Sequence, residues 1–253
     1  MTETDTSSPT RRLEWQLAQV RAIIAETDRV KSLVLQPGFW TGHLPGQHLD
    51  IRLIAADGYQ AQRSYSIASP PEDELLMVTV ERIKDGEVSP YLLDELRVDD
   101  WLELRGPIAR HFVWTNGLRG PLCLIAGGTG IAPLMSMLRH RDRTSSRTPT
   151  VLIYSTRSLA DTVYREELDG MARSGDNLDI VYALTREQPK DWVGHRGRID
   201  RTLLAASCFP PAQNPAIYVC GPTAFVESVS GFLVELGFDS PSIKTERFGP
   251  SGG

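Results

Sequence analysis

PLCLIAGGTGIAPLMSMLR, residues Pro121 to Arg139, runs from an apolar segment through a glycine-rich break into a second apolar segment of helical length. Leu122 to Ala126 reads as a buried strand and Pro133 to Arg139 as the helix after it. Gly127, Gly128 and Gly130 permit a tight turn and a close backbone approach, and Pro133 suits a first helical turn, where its missing N–H costs nothing. The free N–H groups and positive dipole end of such a helix favour an anion, and a pyrophosphate could rest there. The pattern departs from G-x-G-x-x-G because Pro133 stands where the third glycine would be. Pro121 to Leu138 carries no charge, about the length of a membrane span. Its three glycines and two prolines argue against a spanning helix and for strand, turn and helix.

Outward from this stretch the rhythm differs on the two sides. Before it, Glu14 to Val20, Lys31 to Leu35, His48 to Ile54, Gln62 to Ile67, Leu75 to Ile83 and Trp101 to Leu104 are short, partly alternating runs separated by turn residues such as Pro37-Gly38 and Pro45-Gly46. They predict antiparallel strands of a small β-barrel, with one inserted helix from Pro90 to Leu96. After Gly120, Leu122 to Ala126, Val151 to Ser155, Ile180 to Leu184 and Ile217 to Cys220 alternate with helical patterns, the signature of a parallel α/β sheet. The expected organisation is a two-domain chain: a polar, disordered tail over 1–12, an antiparallel β-barrel domain over 13–117, and a nucleotide-binding α/β domain over 118–253. The linker Thr115-Asn116-Gly117-Leu118-Arg119-Gly120 is the natural boundary.

At 253 residues, 41% hydrophobic and 23% charged, the composition is that of a soluble globular protein, and a formal net charge of -5 argues against a nucleic-acid surface. The first ten residues lack an apolar core and do not read as a signal peptide, so a cytoplasmic location is expected. Cys123, Cys208 and Cys220 are scattered, which indicates neither a disulfide framework nor a metal site. Three cysteines are too few for an iron–sulfur cluster. Among the five histidines no H-x-x-x-H pair occurs.

Arg63-Ser64-Tyr65-Ser66 sets a fixed cation, an aromatic face and a hydroxyl on one predicted barrel strand. Arginine can pair with phosphate, tyrosine can stack on a flat ring, and serine can hydrogen-bond its edge. With Gly127-Gly128-Thr129-Gly130-Ile131-Ala132-Pro133 and Cys220-Gly221-Pro222 following in that order, the chain resembles the ferredoxin–NADP reductase family from about Trp15 to Pro250. The resemblance implies that Arg63, Tyr65 and Ser66 hold FAD, with Ser66 near its reactive N5. It implies that Gly86-Glu87-Val88-Ser89 is the second flavin motif, its N–H groups taking the pyrophosphate. The residues themselves read there as a turn with Ser89 as a helix N-cap, and both readings can hold together. The Gly127 to Pro133 loop is implied to take the pyridine nucleotide's pyrophosphate, and Cys220 to lie beside its nicotinamide. Lys244-Thr245-Glu246-Arg247-Phe248-Gly249-Pro250 is similar to the ending of flavohaemoglobin-type reductase modules, whose glutamate sits near the flavin and whose aromatic residue packs close to the ring.

The expected activity is hydride transfer from NADPH to FAD, followed by single-electron transfer to a separate redox partner: a ferredoxin, a flavodoxin or a metalloprotein. Neither a globin domain before the reductase core nor a cysteine-rich ferredoxin domain after Gly253 is read in the sequence. A free-flavin reductase and a non-catalytic electron-conduit subunit are the alternatives. For the 2′-phosphate of NADP(H), Val151 to Ser155 runs into Thr156-Arg157 where an NADH site often shows an acid. Thr185-Arg186 resembles the family's phosphate-gripping S-R pair, with threonine for serine. Arg196 and Arg198 follow in sequence, and Asp161 is near enough to Arg157 to neutralise it.

Overall fold

The computed structural model describes residues 13–108, 111–174 and 177–249; the expected tail over 1–12 and Pro250 lie outside the described residues. Strands β1 (Gln16–Thr27), β2 (Val30–Pro37), β3 (His48–Ile54), β4 (Gln60–Ser66), β5 (Leu76–Glu81) and β6 (Trp101–Ile108) form one antiparallel sheet in the order β4-β3-β6-β1-β2-β5. An Ile67–Val78 bridge beside an Ala68 N–H to Met77 carbonyl bond of 2.7 Å joins its two ends and closes the expected barrel. Period-two alternation fills the interior: Leu33, Leu35, Leu49, Ile51, Val78, Val80 and Leu104 are buried together.

In the barrel the largest departures from the sequence expectation are in β1 and the inserted helix. β1 continues past Val20 to Thr27, because pairing with β2 from Ala18–Pro37 to Thr27–Val30 carries a stretch whose own pattern is half polar. The inserted helix is a single turn, α1 (Val88–Pro90), passing into a π-helical turn over Tyr91–Glu95 that buries Leu92 and Leu93 in the barrel. Ser89 does not cap it: Glu87 holds the N-cap position, and Ser89 Oγ accepts the Ile83 N–H at 3.0 Å, closing the preceding turn.

The second half is a parallel sheet of β7 (Leu122–Gly127), β8 (Thr150–Thr156), β9 (Leu178–Leu184), β10 (His195–Arg196), β11 (Ala216–Pro222) and β12 (Ile243–Phe248), in the order β10-β9-β8-β7-β11-β12. Helices α2 (Ile131–Arg143) and α3 (Arg165–Arg173) cover one face, α4 (Arg201–Ser207) and α5 (Thr223–Glu235) the other. Helix α2 outruns the expected Pro133 to Arg139 at both ends. A 3-10 turn over Gly128–Gly130 feeds it, and its basic last turn suits the negative dipole end. β12 escapes the sequence reading because Lys244, Glu246 and Arg247 break any apolar pattern; parallel pairing with β11 from Ile217–Ile243 to Pro222–Phe248 makes it a strand. The cysteines are less scattered than their spacing implies, since the free thiols of Cys123 and Cys208 lie 3.2 Å apart. Among the described residues no helix is long and apolar enough to cross a membrane.

Barrel and sheet meet over a polar seam. Arg139 gives Nη1–H to the Ala68 carbonyl at 2.9 Å, grips Glu167 through Nε (2.8 Å) and Nη2 (2.7 Å), and lies 4.8 Å over the Tyr164 ring. The Tyr164 hydroxyl is shared with Thr79 and Ser32 of the barrel. Phe112 and Trp114 pack into the α2 side of the sheet, where Phe112 meets Tyr218 edge-on at 5.3 Å. Such contacts fix the barrel's strand ends against the carboxyl ends of the parallel strands, where open α/β sheets bind ligands.

Candidate functional site

Four side chains from four strands converge on this junction. His48 stands opposite Ser66 in the antiparallel β3–β4 register, and Cys220 stands beside Glu246 in the parallel β11–β12 register. His48 Nδ1 approaches Glu246 Oε1 to 3.5 Å across the seam, and His48 Nδ1 and Glu246 Oε2 are buried without a hydrogen-bond partner. Buried polar atoms are rarely left so, and the pair marks the junction as a candidate site. Burial, reinforced by the Glu246 charge, pushes the Cys220 thiol well up. A protonated, fully enclosed thiol is a packing group and no nucleophile. His48 was missed in the sequence; its only signal is the register that sets it opposite Ser66, which the sequence does not display.

The two stretches expected to hold a flavin, Arg63 to Ser66 and Gly86 to Ser89, meet through Glu87. Arg63 is exposed, with Nη2 3.6 Å from Glu87 Oε2, and the Tyr59 hydroxyl donates to Glu87 Oε1 at 2.8 Å. The strand's alternation splits R-x-Y-S between two faces. Tyr65 shares its face with Leu49 and packs on the barrel core, where burial pushes its phenol up; the nearby Arg63 charge pulls the other way. Ser66 turns to the His48 face, and Ser64, on that face too, is spent on Asp50 Oδ1 at 2.6 Å, itself held by Arg105 at 2.9 Å. Of the second motif, Val88 is buried in the barrel core and Ser89 closes its own turn. Gly86 and the local N–H groups are what remain for a ligand.

On the sheet side the glycines divide their work. Gly128 adopts φ +56° with open space around its missing side chain. A Cβ on Gly130 would overlap the Cys220 carbonyl, so this glycine lets the loop press on the neighbouring strand. Pro133 is in the first turn of α2, which carries no acidic residue there. A cleft of about 240 Å³ opens in front of the loop, lined by Gly127, Gly128, Thr129, Arg157, Thr185, Pro222 and Phe248 with Thr27, Arg29 and Glu81 of the barrel. Thr185 Oγ1 donates to the Thr156 carbonyl at 3.1 Å, tying β9 to β8 below the cleft. Arg186 is exposed and does not line it, and Asp161 is bound to Ser158 at 2.6 Å with no ion pair to Arg157 among the described residues. Gly221 lies between Cys220 and Pro222 on β11. A larger groove of about 1050 Å³ runs elsewhere on the seam, past Glu72, Asp73 and Arg143, and reaches none of these residues.

Residues 14–113 match the oxidoreductase FAD-binding domain family and residues 124–231 the oxidoreductase NAD-binding domain family. The chain is 32% identical over 212 residues to the glycine betaine monooxygenase reductase subunit of Pseudomonas aeruginosa, covering 82% of this chain and 56% of that protein. It thus spans little more than half the length of that relative. Among solved structures, the flavohem-like FAD/NAD binding domain of nitric oxide dioxygenase from Vibrio cholerae superposes with a TM-score of 0.83 at 24% identity, covering 93% of this chain and 99% of that one. The ferredoxin reductase in carbazole 1,9a-dioxygenase superposes at 0.80 and 26% identity, covering 95% and 71%.

Proposed function

Because the chain belongs to the ferredoxin–NADP reductase-like oxidoreductases with paired FAD-binding and NAD-binding domains, we propose that it takes a hydride from NADPH onto FAD and delivers the two electrons singly to a separate redox protein. The observation that carries the reading is the meeting of Ser66 and His48 from the barrel with Cys220 and Glu246 from the sheet, beside the cleft at the glycine loop. Flavin supplies the two-electron to one-electron conversion, and the protein supplies binding and alignment.

Each residue has work that fits its place. Tyr65 offers a ring fixed against the barrel core for stacking, and Arg63 a cation for phosphate. Ser66 and Glu246 present oxygen atoms to the flavin edge, and Glu246 with His48 can hold a proton there. Cys220 sets how near the nicotinamide can come, and Phe248 closes the cleft at the flavin end. The unpartnered atoms of His48 and Glu246 fit a ring edge that offers both donors and acceptors. Residues 13–117 are the flavin-holding half and 118–253 the nucleotide-holding half in this reading.

For the partner we favour a metalloprotein oxygenase component over a ferredoxin or flavodoxin. The Pseudomonas relative is a monooxygenase reductase subunit, and a structural neighbour is the reductase in a dioxygenase system. The cytoplasm, where NADPH is supplied and free thiols persist, is the compartment this reading calls for. Purified protein should be yellow, bleach anaerobically with NADPH, and recover its colour on addition of a one-electron acceptor. A chain that cannot bind flavin would end the reading.

A further inference from the structure

The nucleotide cleft is lined by four charged side chains, and they are not equally free. Glu81 Oε2 accepts the Thr129 hydroxyl at 3.0 Å, and Asp161 Oδ2 accepts the Ser158 hydroxyl at 2.6 Å. Both carboxylates are therefore held by neutral hydroxyls and turned to local use. The guanidinium groups of Arg29 and Arg157 make no ion pair or hydrogen bond among the described residues, although both line the cleft. Arg157 belongs to the sheet, at the end of β8. Arg29 comes from the barrel: it sits in the two-residue turn between Thr27 and Val30, which face each other in the β1–β2 register. Its backbone is fixed on both sides, its N–H donating to Thr27 Oγ1 at 3.2 Å and its carbonyl accepting the Arg82 N–H at 2.9 Å. An exposed arginine on a rigid hairpin has no structural task for its head group there, and Gly127, Gly128 and Thr129 of the glycine loop line the same cleft.

We infer that Arg29 pairs with the pyrophosphate of the bound pyridine nucleotide from the barrel side, so that one nucleotide is gripped by both halves of the molecule. The assignment rests on the function proposed above and adds a contact that no sequence motif marks. Pyrophosphate is the fitting anion because the cleft that Arg29 lines is also lined by Gly127, Gly128 and Thr129, the loop that leads into the N-terminus of α2. A planar guanidinium meets two phosphate oxygens at once, and a cation held in place by a hairpin loses little freedom in doing so.

The test is calorimetric titration of the FAD-loaded chain with NADP⁺ and, separately, with NAD⁺, which share the pyrophosphate and differ in the 2′-phosphate. Arg29→Ala should weaken both by the same factor, about 10- to 100-fold, with Arg29→Lys between it and the wild type. FAD content and thermal midpoint should be unchanged, which separates lost contact from lost folding. Equal dissociation constants for wild type and Arg29→Ala would overturn the inference, and so would a loss confined to NADP⁺. A wild type that holds FAD yet binds neither nucleotide would instead overturn the functional reading on which the inference stands.

Discussion

His48 Nδ1 and Glu246 Oε1 are 3.5 Å apart, one on a barrel strand and the other on the outer strand of the parallel sheet. In the function proposed above, their unpartnered polar atoms meet the flavin edge. Glu246→Gln and His48→Leu should each slow flavin reduction by about tenfold or more while leaving FAD bound, since they remove a proton-holding group and no stacking surface. Cys220→Ala should also slow it, through looser placement of the nicotinamide. Anaerobic stopped-flow that follows bleaching of the flavin reads the rate. Wild-type rates in all three variants would remove them from the hydride path.

Tyr65 offers a sharper contrast. Its hydroxyl makes no hydrogen bond among the described residues, and its ring rests on the barrel core. Tyr65→Phe should therefore keep FAD through gel filtration, whereas Tyr65→Ala should lose it, stacking and its buried area being worth about 1 to 3 kcal/mol. Equal retention by the two variants would show that the ring does not stack.

For nucleotide choice, kcat/KM for NADPH should exceed that for NADH by at least about tenfold, the value of one charge-assisted phosphate contact. Arg157 lines the cleft with Thr185 and Arg186 does not, so Arg157→Ala should shrink the ratio more than Arg186→Ala. A wild type that prefers NADH would refute the 2′-phosphate assignment.

The glycine loop can be tested without any ligand. Gly130→Ala puts a side-chain methyl group into the backbone carbonyl of Cys220, while Gly128→Ala has space and meets only an unfavourable φ. The first should cost about 3 kcal/mol or prevent folding, the second about 1 kcal/mol. Thermal midpoints that rank the other way would contradict the packing described.

Burial holds the His43 imidazole below its ordinary value, against the opposing pull of its bond to Ser69 and of Glu72 and Asp73, while His140 adds to the lowering. The neutral ring accepts Trp40 Nε1–H at 3.4 Å and donates Nε2–H to the Ser69 carbonyl at 3.0 Å. The unfolded chain takes up a proton near pH 6.5 that the folded chain refuses, so this contribution to stability is intact above that pH and is lost as pH falls below it. Denaturant midpoints for the wild type should drop between pH 7 and pH 5 more than those of His43→Gln. Parallel curves would assign the acid sensitivity elsewhere.

The sequence made the fold legible where burial is uniform or alternating: β3 was bounded correctly, and β7 and β11 were located to within two residues. It failed at β12, whose residues are half-buried apart from the exposed Arg247 and held by pairing with β11. The motifs pointed to Ser66, Cys220 and Glu246 by likeness to a family, and the registers then placed each beside a neighbour. His48 and Arg29 were illegible for a shared reason. Each is an isolated residue whose significance arises from what tertiary structure brings opposite it, and a histidine in a strand or an arginine in a turn carries no periodic mark.

The His48–Glu246 contact joins positions roughly two hundred residues apart, and contacts so remote along a chain form against a large loop-closure entropy. Local hairpins and strand–helix units can assemble first and still leave the junction open. During refolding, recovery of secondary structure and recovery of a flavin-competent pocket would then be separate events in time. Between them lies a species with unpaired edges and an open seam, the form most exposed to aggregation and most open to rescue by added FAD.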